Sequence, residues 1–197
     1  MKNTLRPLFP ILLAGVLASA SSLDAQDRTL QIDPARTTVE FTLGALLHTV
    51  HGTFQLASGR IGFDPATGRA SGELVVDATS GQSGNAARDK KMHGDVLESA
   101  RFPRIVFRPD RVEGAVAEQG VSKVQVHGSF EIHGDRHEMV VPVEVRASAG
   151  EYEATASFDI PYVKWGMKSP STFILRVNDQ VDITVRTVAR LPGGNLQ

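Results

Sequence analysis

The chain contains no cysteine. Disulfide staples are thereby excluded, although exported proteins commonly use them. A bacterial lipoprotein anchor is excluded too, because it needs a cysteine just after the leader. Charge of one sign is also missing: 21 basic residues face 22 acidic ones, and no basic run occurs. Nothing therefore suggests a nucleic-acid partner. Beyond the first 18 residues there is no apolar stretch approaching the ~20 residues that span a bilayer. Nucleophile and phosphate-loop motifs are absent as well, including Gly-x-Ser-x-Gly and His-Glu-x-x-His. An enzyme is the least supported class, and neither a cofactor nor a metal site is expected.

What is present starts at the first residue. Lys2 and Arg6 precede an apolar run from Leu8 to Ala18, and small residues follow in Ala18-Ser19-Ala20 and at Ala25. A charged start, an apolar stretch and a small-residue cleavage site make a secretory signal. Pro7 and Pro10 fit poorly in a buried core helix. Residues 1–25 are therefore expected to be removed, with Ala25 preferred over Ala20 as the cut. The expected product is a freely soluble periplasmic protein without a membrane anchor. Its 26–197 segment has the length of one domain and is large enough to bury a core without staples.

A period of two dominates the remainder. Ala154-Thr155-Ala156-Ser157-Phe158-Asp159-Ile160 alternates small or apolar with polar residues, and Val181-Asp182-Ile183-Thr184-Val185-Arg186 does the same. Such alternation marks strands with one apolar face. Strands are predicted at 28–32, 37–43, 47–56, 59–63, 70–78, 104–112, 121–131, 137–147, 151–160 and 178–190, with a short extended piece at 171–176. Many strands punctuated by Gly, Pro and Asp turns imply an all-β sandwich or barrel. His133-Gly134-Asp135-Arg136 and Ala149-Gly150 read as tight hairpins. Pro142, inside a strand, needs an edge, a bulge or a position with no donor duty.

Ser83 to Ser99 breaks the pattern. Asn85 can cap a helix, Met92, Val96 and Leu97 recur near helical spacing, and Gly94 weakens the middle. One helix or two short turns are expected, ended by Phe102-Pro103. A single helix among strands suits the mouth of a barrel. Seven of the nine Phe (Phe41, Phe54, Phe63, Phe107, Phe130, Phe158 and Phe173) fall in predicted strands or extended pieces. About eight strands give an interior that is either filled or able to hold one elongated ligand. On composition alone the filled core is the default.

Six His raise the question of a metal. His48 and His51 stand three apart, on opposite faces of a strand. His133 and His137 flank a hairpin, but no Cys and no carboxylate cluster completes a tetrahedral set. Arg88-Asp89 opens the helical segment. Arg88 either contacts an anionic ligand head, which a guanidinium suits, or pairs locally to fix the helix start.

Five stretches in order carry a resemblance. They are Ile32-Asp33-Pro34-Ala35-Arg36-Thr37-Thr38-Val39-Glu40-Phe41; His51-Gly52-Thr53-Phe54 with Gly59-Arg60-Ile61; Asn85 to Met92 leading to Phe102-Pro103-Arg104-Ile105-Val106-Phe107; Gly128 to Gly134; and Phe158 to Val185 with Trp165-Gly166. In this order the chain resembles the YceI-like family of lipid- or polyisoprenoid-binding periplasmic proteins, over roughly Arg28 to Arg190. The resemblance implies an antiparallel lipocalin-like β-barrel of about eight strands with one short helical insertion. It also implies a long apolar ligand along the axis, of isoprenoid type with a quinone or prenyl-phosphate head, and no catalysis. Where many relatives carry a basic residue and an acid, Pro161-Tyr162-Val163-Lys164 stands here, so no head-group contact is carried over to that loop.

The expected function is a carrier or store for such a lipid. The alternative is a stress-response or protein-interaction module with a filled core. The lining is expected from Val39, Phe41, Leu43, Phe54, Leu74, Val76, Phe107, Val126, Phe130, Phe158 and Ile183, with Met92 and Trp165 near the mouth and Arg88 at the head group. A homodimer is left open.

Overall fold

The computed structural model describes residues 28–46, 48–172 and 176–190. The expected leader at 1–25, Leu47, and Phe173 with the centre of the extended piece at 171–176 lie outside the described residues. Within them the strands are β1 (Arg28–Ile32), β2 (Thr38–Gly44), β3 (Thr49–Phe63), β4 (Ala70–Gln82), β5 (Arg104–Glu113), β6 (Gly120–Ile132), β7 (Asp135–Ser148), β8 (Glu151–Ile160) and β9 (Val181–Arg190). From β2 onward each pairs antiparallel with the next, and β9 pairs back onto β2, with Val39 opposite Val185. The result is a closed eight-stranded antiparallel barrel.

β1 and β2 share one stave. β1 pairs with the far end of β3 (Leu30 opposite Ile61) and touches β9 through Ile32 and Ala189. β2 then takes over against the near end of β3, Val39 opposite Phe54. Between them a 3₁₀ turn, Pro34–Arg36, is capped by the Asp33 carboxylate, which accepts from the Ala35 amide at 2.9 Å. Pro34 suits the first position of such a turn, where no amide donor is needed.

Two predicted strands, 47–56 and 59–63, are one continuous strand. Register shifts fall between Thr53 and Gln55 and between Leu56 and Ser58. The second moves the inward face from Val50, Phe54 and Leu56 to Ile61 and Phe63, from even to odd positions. A bulge of this kind flips the phase without ending the strand, so the alternation looks broken in the sequence. β5 does the same between Pro109 and Arg111. The predicted 178–190 strand begins only at Val181, because Asn178 is held by the Gly44 carbonyl at 2.8 Å in a loop.

Both tight hairpins are two-residue turns. His133 and Gly134 have φ of 54° and 86°, and Ala149 and Gly150 have 48° and 79°. Positive φ at both central residues matches the right-handed twist of the flanking strands. At Pro142 the β7–β8 ladder has already ended: it runs from Ser148–Glu151 up to Val143–Ala156 and no further. Pro142 keeps its place opposite Gln125 on the other side. The missing amide thus falls where no partner strand asks for a donor.

The long connections gather at one end, here called upper. β4 leads into α1 (Ala86–Lys91), with the Asn85 side chain accepting from the Arg88 amide at 3.0 Å. α1 continues into a π-helical turn, Met92–Val96, closed by the Leu97 amide on the Met92 carbonyl at 2.9 Å. Gly94 sits inside that turn, where the sequence weakens a regular helix. His93 pins the turn to β4 through Nε2 and the Gly81 carbonyl, 2.8 Å, and meets the Ser99 hydroxyl through Nδ1 at 2.9 Å. The described parts of the β8–β9 connection, 161–172 and 176–180, also lie at the upper end. Among the described residues the lower end carries the short β3–β4, β5–β6 and β7–β8 turns.

Candidate functional site

Inward side chains alternate along every strand, and they are almost all apolar. They do not fill the space they enclose. An upper cavity of about 480 Å³ lies under the helical insertion and the 161–172 and 176–180 parts of the β8–β9 connection. A lower cavity of about 250 Å³ lies toward β1 and the short turns. Val39, Val76, Ile105, Phe130, Phe158 and Val185 belong to the walls of both. The two spaces are therefore lobes of one lumen, divided by a waist.

The sequence-derived lining residues distribute over both lobes. Phe41, Leu43, Phe54, Met92 and Ile183 line the upper one. Leu74, Phe107 and Val126 line the lower one. Val39, Val76, Phe130 and Phe158 form part of the waist. Trp165 lines neither. Its ring lies on His137, with centroids 4.1 Å apart, and meets Phe130 at 5.9 Å. The reason is the short β7–β8 ladder: above Val143 the turn at 161–167 takes the place of strand pairing, and its indole covers β7.

Rings stagger through the waist. Phe130 meets Phe158 edge-on at 6.3 Å and Phe107 at 6.4 Å, while Phe41 and Phe54 approach within 5.5 Å higher up. Space for the upper pair is made by missing side chains. A Cβ on Gly52 would overlap the Phe41 ring and the Gln82 carbonyl, and one on Gly81 would strike Phe54 and the Met92 methyl.

Charged side chains border only the upper of the two cavities. Arg88 borders the upper cavity, as do Lys91 and His48, and among the described residues no Asp or Glu is part of that wall. Arg88 donates from Nε to the Ser83 hydroxyl at 2.7 Å and from Nη2 to the Ser83 carbonyl at 2.8 Å. Asp89 accepts from the same hydroxyl and from the Ser83 amide. Ser83 thus bridges Arg88 and Asp89, and Arg88 serves the helix start while remaining in the cavity wall. Lys91, one turn further on, donates to the Pro170 carbonyl at 2.9 Å and ties α1 to the opposite connection. Tyr162 donates to the Asn178 carbonyl at 2.7 Å, and burial pushes its hydroxyl pKa upward, so it stays protonated.

Lys91, Tyr162 and Met167 were not read from the sequence. Lys91 had a signal, since three residues on a helix return to the same face as Arg88. The other two had none, lying in an irregular connection. The histidines do not converge: His133 meets Glu98 at 3.2 Å and Phe102, whereas His137 stacks on Trp165. His51 faces outward against the Thr42 hydroxyl at 3.1 Å. Among the described residues no three His, Cys, Asp or Glu side chains gather as metal ligands would.

A closed antiparallel barrel with a long, two-lobed apolar lumen and a cationic rim defines the class: a small β-barrel built around an internal cavity. The chain matches the YceI-like domain over residues 30–189 and belongs to that family. Its fold is similar to that of Burkholderia cenocepacia BcnA, at 21% identity and a TM-score of 0.68, covering 80% of this chain and 98% of that one. It is also similar to a polyisoprenoid binding domain from Saccharophagus degradans implicated in plant cell wall breakdown, at 17% identity and 0.64, covering 83% and 98%. Campylobacter jejuni YceI protein superposes with a TM-score of 0.61 at 18% identity, covering 73% and 86%. No match is found among curated proteins.

Proposed function

We propose that the protein is a periplasmic carrier or store for an amphipathic lipid of isoprenoid type, held with its tail along the lumen and its head at the upper rim. The observation that carries this reading is the division of chemistry along one axis. The lower lobe is lined by apolar side chains with only Tyr152 and Thr187 as exceptions, and every cation of the upper wall stands at the rim. The upper cavity falls within the range of small-molecule sites, about 300–1,000 Å³.

Energetics favour an occupied lumen over a decorative one. An unfilled interior void costs about 24 cal/mol per Å³, and the upper cavity alone is about 480 Å³. Each tail methylene buried returns about 0.8 kcal/mol. The filled-core alternative would require the lining rings to close this space. The polyisoprenoid-binding description of the Saccharophagus degradans domain supports the choice of lipid. Arg88 and Lys91 suit an anionic or strongly accepting head group. The leader read at residues 1–25 would supply export, and the reading includes no catalytic step and no cofactor.

Native mass spectrometry and organic extraction of protein purified from its own host test the proposal. A co-purifying isoprenoid lipid in stoichiometric amount is the expected result. An empty barrel that also fails to take up prenyl alcohols or isoprenoid quinones would overturn it. N-terminal sequencing of the exported protein, expected to begin at Gln26, tests the leader.

A further inference from the structure

Neither the family nor the proposed lipid says how far into the barrel a tail extends. The waist does. Its members come from six of the eight barrel staves, and two of them, Phe130 and Phe158, are large rings, while Val39, Val76 and Val185 are smaller. Phe130 is the fixed member. It is buried at 7% exposure and meets Phe107, Phe158 and Trp165 with ring centroids between 5.9 and 6.4 Å. Trp165 is in turn pressed flat on His137, which stands directly opposite Phe130 across the β6–β7 ladder. A ring held on three sides by other rings does not swing aside without moving them.

We propose that Phe130 is the specificity-determining residue for tail length: its ring ends the space a tail occupies readily and restricts passage into the lower lobe. This rests on the reading of the lumen as a tail-binding site. In the upper lobe each added carbon gains burial, so affinity climbs with length. Once the tail meets the waist, further carbons must displace Phe130 or fold back, and the climb stops. Removing the ring joins the lobes, and the climb continues to longer tails.

The test measures affinity for two graded series, prenyl alcohols from geraniol upward and n-alkanols from octanol to octadecanol. The proteins compared are the wild type, Phe130→Ala and Phe130→Leu, with thermal melts to establish that each is folded. Leu keeps an apolar side chain in the strand and guards against loss of the fold in the Ala variant. The expected result is a plateau in the wild type that moves to longer chains in Leu and further in Ala, with the longest ligands gaining on the order of tenfold in affinity. Plateaus at the same chain length in all folded proteins overturn the role of Phe130. If prenyl alcohols fail while alkanols still show the shifting plateau, the isoprenoid assignment falls and the tail-length role stands. If neither series binds the wild type, both fall.

Discussion

The indole of Trp165 lies parallel to the imidazole of His137, with centroids 4.1 Å apart and planes 2° from coplanar. The stack joins the irregular turn after β8 to the unpaired upper half of β7. Trp165 is the single tryptophan of the chain, so its emission reports on this junction alone. His137→Ala should shift that emission to the red and lower stability by about 0.5–1.5 kcal/mol beyond the lost area, as for other ring pairs. Steady-state fluorescence with a urea titration checks both. An unmoved emission maximum would show that the imidazole does not shield the indole.

Close approach in the lumen gives a second expectation. Gly52→Ala puts a methyl group into the space of the Phe41 ring and the Gln82 carbonyl. Overpacking of this kind costs about 1–3 kcal/mol. Adding Phe41→Ala should recover part of the loss, because one of the two obstacles is then gone. Urea denaturation of the two single variants and the double variant measures the coupling, and strictly additive losses would contradict it.

Asp182 and Asp159 face each other across β8 and β9 on the outer surface. Burial first, and then the neighbouring Asp159 carboxyl, push the Asp182 pKa upward. A carboxyl that holds its proton more tightly when folded favours the native state below its unfolded pKa and loses that advantage as pH rises through the folded value. At neutral pH the pair is therefore a liability. Asp182→Asn should raise stability there by a few tenths to about 1 kcal/mol, the scale of exposed cross-strand like charges. The gain should vanish in acid, and melts across pH decide it.

Glu151 shows the opposite sign. It takes Arg36 at 2.7 Å and Arg190 at 2.9 Å, and these partners hold its pKa down to about 2. Its contribution is present above the ordinary carboxylate range and disappears as pH falls toward that value. Glu151→Gln should melt earlier than wild type at neutral pH and together with it near pH 2. A constant difference across that window would contradict the linkage.

For the rim, Arg88→Ala combined with Lys91→Ala should weaken binding of a prenyl phosphate by at least tenfold, the scale of about 1.5–3 kcal/mol for a charge-assisted hydrogen bond. The prenyl alcohol of the same length should be far less affected. Parallel titrations of the two ligands separate head from tail.

Strands with an unbroken period, such as β8, were legible in the sequence to the residue. On β8 Phe158, the one residue of that strand expected in the lining, keeps one phase with Ala156, and both stand in the lumen wall. β3 and β5 were harder, since one extra residue at a bulge reverses inside and outside, and only partner strands reveal it. Asn85 was legible as a cap because capping is local. The joint stave of β1 and β2, the waist and the placement of Trp165 were not, because each depends on contacts between segments distant in the chain. Even so, Lys91 was within reach: the reasoning that singled out Arg88 needed only one more helical turn.

β2 and β9 close the barrel by pairing Thr38 with Arg186. That single seam joins nearly the two extremes of the described chain. Until the last strand arrives, the inner faces form an open curved sheet and no interior exists. Ring closure over so long a stretch of chain is entropically slow. The interior would thus be enclosed only when that seam forms, and an apolar molecule already lying on the open sheet would be wrapped rather than threaded.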